Sequence, residues 1–472
     1  MIIIYLHQFY FPGERAHTVQ MVHTAAGLAA RGIETHLLGK RNPDLPIASI
    51  PEGLRFYGVE PDRLLSVHLA PSSGRNRASL WNRWQLLRIL GGSRGRDTVV
   101  FVRRTRTVRE LVHFRRLARA RFRIVLEMHD IPSLLERRYD EVEAMLGDRV
   151  PYRGRLREGA ALRGVDGIVT ITDAMRHLLR RGTEIDVPMV TIRSGADLSR
   201  FGVRIATTRR DAAGRPAPEA ALLEAPLDAV PHRRPDGVVG PTTGTSETPA
   251  GGATPRRAPG RCVMYVGQFW AWKGLDVLLQ AMSSLPADVH LDVVGGDPRG
   301  RHRQELAAMA QRFGQRARVR YHGFVPHGKV HEELERADCL VLPNQRTVRS
   351  GFFTSPMKLF EYMASGVPIV ATDLPAINEI LRHEENALLV EPDRPEALAA
   401  GIRRVLEDGA LGQRLAARAL EDVASYSWAS RARQLAEFLG AVLGPRHLQA
   451  RPDGSRMQRA VLPGDVGRRS SS

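Results

Sequence analysis

The stretch richest in chemistry is Thr354-Ser-Pro-Met-Lys-Leu-Phe-Glu-Tyr-Met-Ala-Ser-Gly-Val-Pro-Ile-Val-Ala-Thr372. Ser355 suits a helix cap, Pro356 suits the first helical position, and Leu359, Phe360 and Met363 recur at helical spacing. Gly366 stops that helix, and Pro368-Ile-Val-Ala371 reads as a buried strand behind it. A helix opening this way aims free backbone N–H groups and a partial positive charge at whatever precedes it. A diphosphate is the guest such a mouth favours, with Thr354, Ser355 and Met357 at its lip. Lys358 adds a full positive charge in the first turn. Glu361 is set back, where its carboxylate can accept hydrogen bonds from sugar hydroxyls without crowding the phosphates. The same spacing also describes a capped surface helix with an ordinary Lys and Glu.

Three further places carry polar groups at positions where chemistry is expected. The run Ile124-Val-Leu-Glu-Met-His-Asp130 is a strand that ends in Glu127, His129 and Asp130. Arg261-Cys-Val-Met-Tyr-Val-Gly267 is a strand leading into the loop Gln268-Phe-Trp-Ala-Trp-Lys273-Gly274. Ile2–Leu6 leads toward Phe11-Pro-Gly-Glu-Arg-Ala-His17, a loop that carries Gly13 and is a candidate site wall. A strand, a loop with Gly or Pro, a helix over Thr18–Arg31 and a strand over Ile33–Leu38 make a right-handed parallel unit. In such doubly wound sheets ligands sit beyond the carboxyl ends of the strands, which is where all these loops fall. Val99–Val102, Ile124–Glu127 and Gly167–Thr172 continue the first sheet, and Asp173 is expected to cap the helix after it. Leu275–Leu285 reads as a helix, and Val289–Gly296 and Asp338–Pro343 as second-sheet strands.

The run Ser355 to Val370 resembles the nucleotide-sugar motif of family-4 retaining glycosyltransferases, which have the GT-B fold. The resemblance spans about residues 1–205 and 261–443. It implies an α/β architecture of two Rossmann-like, doubly wound domains facing a cleft, with the donor diphosphate held between them. It also implies a role for each matching residue. Glu361 would hold the nucleotide ribose, and His129 would face the transferred sugar with Glu127 and Asp130 in support or on the acceptor side. Gly13, Gly267, Lys273, Thr354, Ser355, Met357 and Lys358 would line the diphosphate. Two positions depart from the family pattern. Phe353 stands where a glutamate normally contacts the donor sugar, and Gln268 where an arginine follows the glycine; Arg346 or Arg349 is expected to restore that charge. Arg318–Pro326 resembles the segment that seats the nucleobase.

At 472 residues the chain calls for two domains. The expected division is 1–205 for the acceptor-side domain, 206–260 for a disordered linker rich in Pro, Gly and Thr, and 261–425 for the nucleotide-sugar domain. A crossover helix over 426–444 and an unfolded basic tail over 445–472 complete it. Lys and Arg total 69 against 51 acidic residues, a net charge of +18 that favours anionic partners. With no zinc-finger, RRM or basic-zipper pattern, nucleic acid is excluded as the expected partner. A nucleotide-sugar donor, a glycan or lipid-linked acceptor and peripheral contact with an anionic membrane are the partners expected. Cys262 and Cys339 lie in apolar runs, which suits buried thiols in a reducing compartment. No segment reaches the roughly 18 apolar residues that span a bilayer, and the first residues lack the form of a signal peptide, so a cytoplasmic protein is expected. Neither a DxD clamp nor a His/Cys ligand cluster is visible in the spacing, so no metal or other cofactor is expected. Two other classes fit the same phosphate site: a nucleotide-sugar epimerase and a non-catalytic GT-B partner subunit.

Overall fold

The computed structural model describes residues 1–70, 75–147, 156–183, 185–202, 205–206, 222–223, 260–296 and 302–444. The expected tail over 445–472 lies outside them, as does the expected linker over 206–260 apart from Ala206, Leu222, Leu223 and Gly260.

Seven parallel strands form the first sheet: β1 Ile2–Phe11, β2 Glu34–Arg41, β3 Leu65–Ala70, β4 Thr98–Val102, β5 Arg123–Met128, β6 Gly167–Thr170 and β7 Met189–Thr191. Their spatial order is β3-β2-β1-β4-β5-β6-β7. Six parallel strands form the second: β8 Arg261–Val266, β9 Val289–Val294, β10 Val319–Gly323, β11 Cys339–Leu342, β12 Ile369–Thr372 and β13 Leu388–Val390, in the order β10-β9-β8-β11-β12-β13. Both orders reverse direction once, between β1 and β4 and between β8 and β11. The doubly wound expectation holds, and each reversal opens a crevice at the strands' carboxyl ends.

Both sheets are buried on both faces, which is why their strands read as continuous apolar runs. Ile2 and Ile4 of β1 face one core while Ile3 and Tyr5 face another. Cys262 and Met264 of β8 likewise face one core and Val263 and Tyr265 the other. Ile3 and Ile4 are completely buried, worth about 1.5–3 kcal/mol each.

The chain's last described helix, Trp428–Leu443, leaves the second domain and packs on the first. Ala432, Leu435, Leu439 and Val442 join the core that holds Ile3, Val22 and Ala25. A Cβ on Gly27 would sit 2.6 Å from that of Ala432, so this helix crosses Ala16–Ala29 at a distance that only a glycine permits. His23 stacks on Trp428 at 5.2 Å.

Several local expectations are corrected. Ser355 does not cap its helix, which runs Met357–Ala364 behind Pro356; its hydroxyl accepts from Ser194 N of the first domain at 3.0 Å. Asp173 does not cap Asp173–Gly182 either. Thr172 does, accepting from Met175 N, while two backbone N–H groups of that first turn donate to Glu379 of the second domain. In both cases a group across the interface bonds where local sequence suggested a neighbour.

Candidate functional site

Lys273 and Lys358 come from separate elements, yet both ammonium groups lie 3.6 Å from where a Cβ on Gly267 would stand. Gly267 follows β8 with φ +147, a conformation L side chains rarely adopt, and a Cβ there would touch the Tyr265 hydroxyl as well as both lysines. The Lys273 loop is tied to the segment before the helix: Gln345 N and the Ser350 hydroxyl both donate to Trp272 O. Gly274 is obligatory in that loop, since a Cβ would meet Pro343 O at 1.8 Å.

Burial holds the Lys273 ammonium down to about 8. Burial, and then the charge of Lys273, push Lys358 well below the ordinary lysine range. The Lys358 Nζ lies 4.2 Å from the centre of the Tyr265 ring and has no hydrogen-bond acceptor among the described residues. Two crowded, desolvated ammonium groups beside the first N–H groups of an eight-residue helix form a site that an anion would relieve.

Glu361 is buried one turn further along that helix, and its Oε1 lies 2.7 Å from His327 Nε2. Burial tends to lower the pKa of His327, but the Glu361 carboxylate outweighs it and holds the imidazole above its ordinary value. His327 follows the Arg318–Pro326 segment. Its pairing escaped the sequence reading because the two lie on different elements.

The first domain presents a basic, histidine-lined mouth. His129 Nε2 lies 2.9 Å from Glu127 Oε1, and a third of the His129 side chain stays exposed. Burial and then Arg103 lower its pKa, so the imidazole is neutral near pH 7. His7 and His17 sit edge-to-face at 5.6 Å and are lowered to about 3 and about 4 by burial and then Arg103. Neither was singled out as a site residue from sequence, although His17 closes the Gly13 loop. Gly13 itself is held by Tyr57, whose hydroxyl bonds both its N and its O.

Glu127 does not face the cleft as a reacting group. It is 1% exposed, and its Oε1 accepts from Gln20, Arg103 and Arg431 besides lying against His129. Burial alone would raise its pKa, but Arg103 and Arg431 hold it well below the usual carboxylate range. It positions His129. Asp130 lies 3.4 Å from Arg349, which places the His129 loop against the segment leading into Thr354.

The proposed replacement of the missing arginine is also corrected. Arg346 turns to the first domain, pairing with Asp140 at 3.0 Å and Glu143 at 2.9 Å above the Tyr139 ring. Gln268 donates to Gly296 O. Neither side chain points a charge at the lysines. Phe353 is 3% exposed and joins Val348 and Phe352 in the first domain's core, so it wedges the lobes together. Thr354 is buried beside it, and Met357 packs against the first domain's other core. Asn344, after β11, is buried with an unpaired side-chain oxygen among the described residues.

Two facing parallel sheets, switch points toward a shared cleft and a returning last helix define the GT-B fold. Sucrose-phosphate synthase of Thermosynechococcus elongatus matches it with a TM-score of 0.61, at 17% identity, over 93% of this chain and 98% of that one. Anabaena HepE, solved in complex with UDP-glucose, matches with 0.59, at 15% identity, over 93% and 100%. Residues 260–408, most of the second domain, match the family described as Glycosyl transferases group 1. In sequence, the phosphatidyl-myo-inositol mannosyltransferase of Mycobacterium tuberculosis is 32% identical over 194 residues, 39% of this chain and 48% of the relative. An uncharacterized glycosyltransferase of Methanocaldococcus jannaschii is 29% identical over 171 residues, 36% of this chain and 42% of the relative. These alignments span less than half the length of either curated relative.

Proposed function

We propose that the protein is a retaining glycosyltransferase that moves a sugar from a nucleoside-diphosphate sugar to a hydroxyl acceptor. The observation that carries this is the convergence of Lys273 and Lys358 on Gly267 at the mouth of helix Met357–Ala364. Supporting it, the match to Glycosyl transferases group 1 covers that half of the site, and HepE on the same fold was solved with UDP-glucose.

In this reading the lysines and the helix N–H groups hold the diphosphate where its charge grows as the sugar leaves. Two lysine charges fill the place a metal ion takes in other sugar transferases, and no metal is required. Glu361, shared with His327, receives the ribose hydroxyls. His129, kept neutral and fixed by Glu127, faces the sugar. The bond from the anomeric carbon to the phosphate oxygen breaks, the acceptor oxygen bonds that carbon on the same face, and its proton passes to the departing phosphate. That proton route needs no carboxylate at position 353.

The acceptor is proposed to be presented at an anionic membrane surface, with the protein peripheral to it on the cytoplasmic side. Helix Arg75–Gly92 exposes Leu80 at 63%, Trp84 at 55% and Leu87 at 50% on a single helical stripe. The Arg83–Glu110 pair, at 2.9 Å, joins it to helix Thr105–Leu117, which presents Arg106 and Arg109 and ends at exposed Leu117. Apolar side chains flanked by arginines suit an acidic headgroup layer. No helix among the described residues is long and apolar enough to cross a membrane.

Phe353 and Gln268 favour a second reading, a GT-B subunit that binds donor without turning it over. Incubation with labelled UDP-, GDP- and ADP-sugars and a lipid or glycan acceptor decides between them. Transfer with retained configuration, lost in Lys273→Ala, supports the enzyme. Tight binding without transfer or hydrolysis supports the subunit, and failure of every nucleotide to bind ends both.

A further inference from the structure

Strands β8 and β9 bring together three residues whose chain spacing reveals no cluster. Parallel pairing sets Cys262 opposite His290 and Met264 opposite Asp292. The two-residue period turns all three polar side chains to one face. Their ligand atoms lie within 4.8 Å of one another, and the residues are 2%, 7% and 3% exposed. On the neighbouring strand β10, His322 Nε2 is 3.0 Å from Asp292 Oδ2, while His290 Nε2 is 3.7 Å from Asp292 Oδ1. Tetrahedral coordination with metal bonds of about 2.0–2.3 Å separates neighbouring ligand atoms by roughly 3.3–3.8 Å, a range that includes the His290–Asp292 distance. Asp292 Oδ1 is buried with no hydrogen-bond donor among the described residues, a state that a cation would relieve. The other ring nitrogen of His322, Nδ1, lies 3.4 Å from Glu333 Oε2. Glu333 thus holds His322 against Asp292, the kind of outer partner that fixes a metal-binding carboxylate.

We propose that Cys262, His290 and Asp292 form a zinc site in the second domain, with His322 holding Asp292 from outside the ligand set. One thiolate, one imidazole and one carboxylate are a borderline-soft set that suits zinc better than magnesium or calcium. The three ligands come from β8 and β9, so the ion would tie those two strands together. Binding releases the Cys262 thiol proton. Cys262 lies five residues before Gly267 on the same strand, about 16 Å from the lysines, so the site is separate from the diphosphate. It does not rest on the proposed transfer reaction and survives if that reading fails.

The full chain, purified without chelator, is analysed for zinc, then stripped and reloaded with cobalt(II). About one zinc per chain and a near-ultraviolet thiolate-to-cobalt charge-transfer band are expected. The band disappears in Cys262→Ser and stays in Cys339→Ser, whose side chain faces the opposite core. Chelation lowers the melting temperature of the unmodified chain, and zinc restores it. If the unmodified chain takes up cobalt without a thiolate band, or takes up none, the proposal is overturned; that measurement needs no variant to fold. Equal metal content in soluble Cys262→Ser or Asp292→Asn protein overturns it as well.

Discussion

Arg431 Nη2 donates to Glu127 Oε1 over 2.9 Å although 304 residues separate them in the chain. Arg431 also donates to the Ile192 and Arg193 carbonyls, so one guanidinium fastens the last helix to the ends of two first-domain strands. The cluster is almost fully buried, with side-chain exposures of 2% and 1%. Breaking a buried pair costs about 3–5 kcal/mol when the remaining charge is left alone, and here Arg103 still faces Glu127, so the loss belongs at the lower end. Arg431→Ala is therefore expected to lose stability of that order in urea denaturation. A loss no larger than that of an exposed arginine would show that the cluster does not hold the lobes.

The same cluster sets a pH dependence. Glu127 has its pKa depressed in the folded chain, so its contribution is complete above the ordinary carboxylate value of about 4. It is lost as pH falls below that value. Chemical denaturation followed from pH 6 to pH 3 should show this loss in the parent chain and a smaller one in Glu127→Gln.

Nucleotide binding is expected to weaken in alkali. Lys273 titrates near 8 in the unliganded chain because it is buried, and its charged form is the one a diphosphate binds. Affinity should be full below about pH 7 and fall as pH rises through about 8, with proton uptake on binding above that point. Calorimetry with UDP or GDP in buffers of different ionisation enthalpy measures both. An affinity flat from pH 7 to pH 9.5 would exclude Lys273 from the phosphate contact.

His327 holds Glu361, so replacing it should matter even without direct nucleotide contact. Loss of a buried charge-assisted partner costs about 1.5–3 kcal/mol. His327→Ala is expected to weaken nucleoside diphosphate binding roughly 10- to 100-fold while leaving inorganic pyrophosphate binding nearly unchanged. Equal loss for both ligands would mean that the variant disturbs the fold rather than the ribose contact.

Phe353→Glu brings the side chain closer to the family pattern but places a charge where the structure buries an aromatic ring. The variant should melt well below the parent, because a carboxylate in an apolar core lacks a partner. A stable, more active Phe353→Glu protein would show that the wedge opens readily.

At the membrane patch, Leu80→Ser with Trp84→Ser should abolish sedimentation with phosphatidylglycerol vesicles, while binding of the nucleotide alone stays unchanged. Binding to neutral vesicles as strong as to anionic ones would remove the charge argument.

Much of the architecture was readable because parallel strands buried on both faces leave unbroken apolar runs. Ile2–Leu6, Val99–Val102, Arg261–Val266 and Val289–Val294 all show this. Leu65–Ala70 escaped because it is a sheet edge, where Ser66 and His68 interrupt the run. The helix Met357–Ala364 was also visible, but the partner of Ser355 was not. A hydroxyl before a helix bonds locally only if nothing nearer competes, and Ser194 N does.

By its own local pattern, then, the chain determined the alternation of strands and helices, the loops at the strands' carboxyl ends and Lys273 beside Gly274. Hydrophobic period and turn chemistry are short-range properties, encoded within a few residues. Only the tertiary structure decided which charges meet: Glu127 with Arg431, Arg346 with Asp140 and Glu143, Glu361 with His327, Cys262 with His290 and Asp292. Coulomb and ligand-bond energies depend on distance in space, and in a sheet whose strand order doubles back that distance bears no fixed relation to position along the chain.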